Sequence, residues 1–302
     1  MEMEYVTAQG ARVPAIGIGT YLWRGEGCRR GIESALEIGY RHIDTGDHYN
    51  NYAEIGSAMA ASDVDREDVF LTTKVPGDEL AYDEVHEATE RGLAELDFEY
   101  IDLLLVHWPS PDVPIEETMR AFNDLRDNGK VRHIGVSQFS VPRLRRAMEA
   151  SEAPIVTNQV EYHPYFRQTT FRWEEEGETD LFEFCADHDV FITAYSPLAI
   201  GEVLSNDTIE QIGRRHGKSP AQVVLRWHLQ QGVCPIPKAS SRTHQRENFD
   251  VFDFELTDRE MVTIAELSGP RTYYWFREFG LVHRLRRRRA EIFDRGRALL
   301  PI

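Results

Sequence analysis

A carboxylate, a phenol, an ammonium and an imidazole stand at or just beyond the ends of apolar runs in the first third of the chain: Asp44, Tyr49, Lys74 and His107. The segments are Arg41-His-Ile-Asp-Thr-Gly-Asp-His-Tyr-Asn50, Val69-Phe-Leu-Thr-Thr-Lys74 and Ile101-Asp-Leu-Leu-Leu-Val-His107-Trp-Pro109. A phenol ordinarily titrates near 10 and is a poor acid at neutral pH. A neighbouring ammonium favours the phenolate and lowers that pKa, and a carboxylate behind the ammonium keeps it charged and aimed. Grouped in one pocket, the four make a proton donor suited to the reduction of a carbonyl.

Such grouping needs a scaffold that brings several strand ends together. The runs are rich in Val, Ile, Leu, Phe and Thr and short enough for buried parallel strands. Segments with helical spacing lie between them, such as Ile32, Ala35, Leu36 and Gly39, and Ile115, Thr118, Met119, Phe122 and Leu125. A strand–helix alternation that closes into a (β/α)8 barrel delivers every strand's C-terminal end to one face. The predicted strands fall near 15–19, 43–45, 69–73, 101–106, 133–136, 155–160, 191–194 and 233–236. Tyr5-Val-Thr7 and Arg12–Ile16, around Gln9-Gly10-Ala11, read as a β-hairpin before the barrel. Ser219-Pro220 predicts a capped helix through Leu229, and Thr257-Asp-Arg-Glu260 a capping box. No repeat, linker or composition break marks a second domain, so residues 1–302 read as one.

At 302 residues, 41% of them hydrophobic, the chain fits one such barrel with a substantial core. A net charge of −17 argues against a general nucleic-acid binder, which needs a cationic surface to release counterions. Lys occurs only at 74, 130, 218 and 238, so Arg carries the other thirty basic charges. An acidic, Lys-poor surface suits a salt-rich cytoplasm, where screening suppresses self-repulsion. Cys28, Cys185 and Cys234 are odd in number, widely spaced and in no metal pattern, and read as reduced core thiols. The acidic start and the lack of a long apolar run predict a soluble cytoplasmic protein without a membrane anchor.

Two tempting motifs fail. Gly17-Ile-Gly19-Thr-Tyr-Leu22 starts like a dinucleotide fingerprint but lacks its third glycine, and no acid stands at the required distance on a strand end. His42, Asp44 and His48 suggest metal ligands, yet His48 lies in a loop and Asp44 is better used by Lys74; no metal is expected.

The chain resembles the aldo-keto reductases. The resemblance rests on Asp44-Thr45 with Tyr49, Thr73-Lys74, Val106-His107-Trp108-Pro109, Ile134-Gly-Val-Ser137, Asn158-Gln-Val-Glu161, Ala194-Tyr-Ser-Pro-Leu198 and Ile236-Pro-Lys238, in the family's order. It implies an NADP(H)-dependent enzyme that reduces small aldehydes or keto-sugar acids, most like the prokaryotic 2,5-diketogluconate reductases. By that resemblance Tyr49 is the general acid, Lys74 lowers its pKa, Asp44 holds Lys74, and His107 orients the substrate carbonyl. Thr20 and Tyr21 lie in a loop touching the cofactor, as does Asp44. Ser137, Gln138 and Gln159 hold the carboxamide, with Gln138 where the family commonly has Asn. Tyr195 stacks on the nicotinamide, and Ser196 and Leu198 lie along the pyrophosphate. Lys238, Ser240, Ser241, His244, Glu247 and Asn248 face the adenosine; His244 replaces the family's usual arginine, and Arg242 stands nearby. Trp23 and Trp108, with Tyr21, are expected to wall the substrate pocket.

The resemblance further implies a hairpin plugging the barrel and a C-terminal tail over it. The tail here is unlike the family's: His283 to Arg297 holds seven Arg against Glu291 and Asp294. A helix with Leu281, Leu285 and Ile292 inward, neutralising an acidic barrel, is the favoured reading over a nucleic-acid or membrane surface. Phe171–Glu178 enlarges a connection that is short in the family. The partner expected is a small carbonyl substrate, the assembly a monomer or weak oligomer. The competing reading is a catalytically weak NADP(H)-binding redox sensor or partner-binding subunit of the same fold.

Overall fold

The computed structural model describes residues 3–167 and 180–267. The acidic segment at 171–178 and the Arg-rich tail lie outside the described residues. Strands β1 (Tyr5–Ala8) and β2 (Ala11–Pro14) form the antiparallel hairpin. Gln9 and Gly10 both take left-handed backbone (φ 49° and 81°), as a tight two-residue hairpin turn requires. Ala8, Ala11 and Val13 pack on Leu103, Leu105, Val156, Phe191 and Cys234, plugging the barrel floor.

The barrel strands are β3 (Ile18–Gly19), β4 (His42–Asp44), β5 (Phe70–Val75), β6 (Ile101–Val106), β7 (Val131–Ser137) and β8 (Ile155–His163). A short β9 (Phe166–Arg167) returns antiparallel along β8. The barrel then resumes with β10 (Phe191–Tyr195) and β11 (Cys234–Pro235). Adjacent barrel strands are parallel, in the order β3-β4-β5-β6-β7-β8-β10-β11. Two backbone bonds draw the ends of that order together: Gly17 N–H to Pro235 O at 3.0 Å and Gly19 N–H to Pro237 O at 3.1 Å. This seam accounts for the Gly-x-Gly. A Cβ on Gly19 would meet the Ile236 carbonyl at 2.7 Å, and one on Gly17 would meet His42 Nδ1 at 2.7 Å. On β6, Leu103 and Leu105 face the floor cluster while Leu104 and Val106 pack outward against the helices, as alternation demands.

The helices are α1 (Gly25–Ile38), α2 (Tyr52–Ala60), α3 (Tyr82–Leu96), α4 (Ile115–Asp127), α5 (Val141–Ala150), α6 (Leu181–Asp187), α7 (Asp207–His216), α8 (Pro220–Leu229), α9 (Arg242–Phe249) and α10 (Asp258–Ala265). The periodic residues of α1 and α4 are buried where the spacing places them. Ser219 and Thr257 both close reciprocal capping boxes, with Gln222 and Glu260. Burial would raise the Glu260 carboxyl, but bonds from the Thr257 N–H, His216 and Arg215 outweigh it and hold the carboxyl down to about 2. The three thiols are buried, and desolvation pushes Cys28 and Cys185 up to about 12.

At the N-terminal end of β6, buried Asp102 accepts from Arg66 at 2.7 Å and Arg132 at 3.1 Å. Both guanidiniums also stack on Tyr100, so this acid fastens the barrel floor. Lys130 and Lys218 sit on carboxylates as well, leaving an Arg-and-acid surface. Thermal stability is therefore expected to rise with KCl beyond the level that screens ordinary surface pairs. Melts that are flat or falling up to molar salt would contradict salt adaptation.

Candidate active site

Asp44 ends β4, and the chain then leaves the barrel through Thr45 and Gly46 into a single 3-10 turn, Asp47–Tyr49. Tyr49 N–H returns to Gly46 O at 2.9 Å, and Asn50 takes left-handed backbone (φ 48°), which an Asn side chain tolerates well. Lys74 lies near the end of β5, and His107 N–H pairs with Val75 O at 2.9 Å as β6 ends. The sequence separation between these groups thus collapses onto neighbouring strand ends.

Lys74 is the centre of the cluster, 1% exposed. Its Nζ donates to Asp44 Oδ1 at 2.6 Å, to Thr45 O at 2.5 Å and to Tyr49 OH at 3.4 Å. Burial lowers the Lys74 pKa below its ordinary value, opposed by Asp44. An ammonium so deeply buried persists only because it is paired and hydrogen-bonded. The Tyr49 ring stands edge-on to His107 at 5.7 Å, and His107 lies 4.4 Å from Trp108. All four expected catalytic side chains therefore meet at one strand-end site.

The aromatic wall differs from expectation in one place. The ring beside Tyr49 is that of Tyr21, at 5.1 Å and half exposed. Trp23 is buried in the core: a Cβ on Gly31 of α1 would touch its ring at 2.8 Å, and its Nε1 lies 3.5 Å from Ser240 Oγ. Trp23 N–H bonds Thr20 O and Leu22 takes φ 66°, so a turn carries the chain back inward between Tyr21 and Trp23. His48, exposed on the turn that carries Tyr49, lies 5.5 Å from Trp108. Only a turn signal could have distinguished Tyr21 from Trp23, and Leu22 gives none.

The expected cofactor residues lie on the following strand ends. Thr20 Oγ1 donates to Asp44 O at 2.9 Å, tying the loop after β3 to the cluster. Ser137 Oγ donates to Gln159 O at 2.9 Å, and Gln159 Nε2 donates to Asp44 Oδ2 at 2.8 Å. Nothing in the sequence signalled this second hold on Asp44. Gln138 has φ 63°, a conformation that favours Asn, and its Nε2 reaches His107 O at 3.4 Å. Tyr195 ends β10 half-buried, and Ser196 and Leu198 begin a loop containing left-handed Ser196, Ala199 and Ile200. Lys238, Ser240, Ser241 and His244 are exposed at the start of α9, which Ser241 caps; Glu247 and Asn248 lie deeper on it. Arg242 is bound to Glu37 at 2.5 Å and Ser34 at 3.3 Å.

The residues weighed as metal ligands do not converge. His42 lies inside the barrel on Thr72, desolvated to a pKa of about 4, while Asp44 is held by Lys74 and His48 lies against Trp108 and Asp78. Asp47, His48 and Glu79 do cluster, but Arg91 binds both carboxylates. No helix among the described residues is long and apolar enough to cross a membrane.

Residues 15–268 match the model of the aldo/keto reductase family. A 9,11-endoperoxide prostaglandin H2 reductase of Trypanosoma cruzi is 41% identical, over 85% of this chain and 88% of its own length. The 2,5-diketo-D-gluconic acid reductase B of a Corynebacterium is 38% identical, over 85% and 90%. A crystal structure assigned as a reductase of that last kind superposes with a TM-score of 0.84 at 41% identity, covering 89% of this chain and 92% of its own. A Bombyx mori aldo-keto reductase solved with NADP gives 0.79 at 29% identity, over 88% and 93%. With the strand order, the strand-end cluster and these matches in agreement, the chain belongs to the aldo/keto reductase family, oxidoreductases acting on carbonyl groups.

Proposed function

We propose that this chain reduces small aldehydes and keto-sugar acids with NADPH, with Tyr49 as proton donor. The observation that carries the proposal is Lys74 Nζ shared between Asp44 Oδ1 and Tyr49 OH. An ammonium in contact with a phenol lowers the cost of releasing its proton, and a carboxylate prevents the ammonium from losing its own. In this reading His107, edge-on to Tyr49, donates to the carbonyl oxygen that Tyr49 protonates. Tyr21 beside Tyr49 and Trp108 beside His107 supply the aromatic lining that ligand pockets commonly have. The relatives named for diketogluconate and glyoxal substrates support carbonyl reduction as the chemistry.

The nicotinamide cofactor, when bound, supplies the hydride. The residues present fit it: the partly exposed ring of Tyr195 offers a stacking surface, and the amides of Gln138 and Gln159 offer carboxamide partners beside Asp44. The start of α9 presents backbone N–H groups, Lys238 and two serines to an anion. The family match over residues 15–268 supports one domain across that span.

NADPH is expected to bind more tightly than NADH. Lys238 provides a cation for the 2′-phosphate, with the hydroxyls of Ser240 and Ser241 as hydrogen-bond donors beside it. Arg242, already on Glu37, is committed elsewhere. Titrations of both cofactors, in wild type and Lys238→Ala, check this. Equal affinities throughout, or an unchanged ratio in the variant, would remove the segment from phosphate binding. A carbonyl panel with each cofactor tests the function itself: binding without NADPH oxidation would favour the sensor reading.

A further inference from the structure

The turn that carries Tyr49 is also held from outside the pocket. Asp47, its first residue, accepts from Arg91 Nη2 at 3.2 Å, and the same nitrogen donates to Glu79 Oε2 at 2.7 Å. Arg91 belongs to α3, which packs behind β5. Glu79 lies in the loop that continues β5 beyond Lys74, closed by Glu79 N–H to Pro76 O at 3.0 Å. A Cβ on Gly77 of that loop would stand 2.2 Å from the Trp108 ring, so the loop presses directly on the residue after His107. His48, within the turn, reaches Asp78 of the same loop at 3.7 Å. One guanidinium thus joins the Tyr49 turn, the loop after Lys74 and α3.

We propose that Arg91 is a positioning residue for the proton donor, fixing Tyr49 against Lys74 by holding Asp47 and Glu79 together. The Tyr49–Lys74 contact of 3.4 Å is long for an N–H···O bond, so a small displacement of the turn decides whether the ammonium acts on the phenol. Without Arg91, Asp47 and Glu79 would face each other, with Asp78 nearby, as unneutralised carboxylates. Their repulsion would part the turn from the loop. The turn that carries Tyr49 is three residues long and ends in a left-handed Asn50, so a shift at Asp47 is passed directly to the ring. Arg91 and Glu79 are partly exposed, and such pairs contribute little to global stability. The effect belongs in the rate.

The inference rests on Tyr49 as proton donor, so Tyr49→Phe is measured beside Arg91→Gln, Arg91→Lys, Asp47→Asn and the Arg91→Gln/Asp47→Asn double variant. Arg91→Gln is expected to lower kcat on the order of ten- to a hundredfold, as displacement by about an ångström can. KM for substrate and the cofactor Kd should change little, and the melting temperature hardly at all. Arg91→Lys should restore part of the loss, since it keeps the charge without the guanidinium's fork. The double variant should fall short of the product of the single losses, because one contact cannot be lost twice. An unchanged kcat in Arg91→Gln beside an inactive Tyr49→Phe overturns Arg91's role alone. The same follows if Arg91→Gln loses activity only in proportion to folded protein, with normal kcat for the folded fraction. A fully active Tyr49→Phe overturns both readings.

Discussion

Tyr49→Phe is expected to lower kcat for carbonyl reduction about 10²–10⁴-fold, the range over which general acid catalysis acts. The substitution removes one oxygen and leaves the ring, which touches Tyr21 and His107 edge-on and lies 5.0 Å from Lys74 Nζ. The pocket should keep its shape, and cofactor affinity should be nearly unchanged because the proposed grip on the cofactor lies on other strand ends. Steady-state rates and fluorescence titration of the cofactor separate the two quantities. Near-normal turnover would remove Tyr49 from the mechanism.

Lys74→Met should act on both stability and acidity. The side chain is buried, and its loss leaves Asp44 with Gln159 as its remaining side-chain partner. Removing one partner of a buried ion pair costs about 3–5 kcal/mol, because the other charge stays desolvated. The same removal takes from Tyr49 its nearest cation, so the pKa governing the acid step should rise. Phenolate becomes harder to form, and the rate falls most where protonated tyrosine must give up its proton. A pH–rate profile and a denaturant titration, taken together, report both effects. An unchanged profile with lowered stability would make Lys74 a structural partner only.

The barrel was legible because its signals are redundant: each strand is a short apolar run, each helix has a buried stripe, and the hairpin has its turn residues. The cluster was legible because Asp44, Lys74 and His107 each sit at such a run's end, where the fold must converge them. What could not be read depends on single backbone angles. Trp23 looked like a pocket residue, yet φ 66° at Leu22 lies within the turn that sends it to the core and leaves Tyr21 beside Tyr49. The Gln159–Asp44 bond joins residues on β8 and β4, strands not adjacent in the sheet, and no spacing encodes it. Arg91 was unreadable for a related reason. On an acidic chain rich in Arg, a helix-surface arginine carries no mark distinguishing a pin from a solvated charge.

The seam through Gly17 and Gly19 also bears on how the chain is made. Its two sides, β3 and β11, are the first and last barrel strands to leave a ribosome. Until Pro235 and Pro237 emerge, the nascent sheet presents an unpaired edge at β3 and another at whichever strand was finished last. Open parallel edges invite pairing with other chains. The glycines that let the backbones meet offer no side chain to guard the first edge during that wait. Production at low temperature or with holding chaperones should therefore improve the yield of soluble protein more than any change to the pocket.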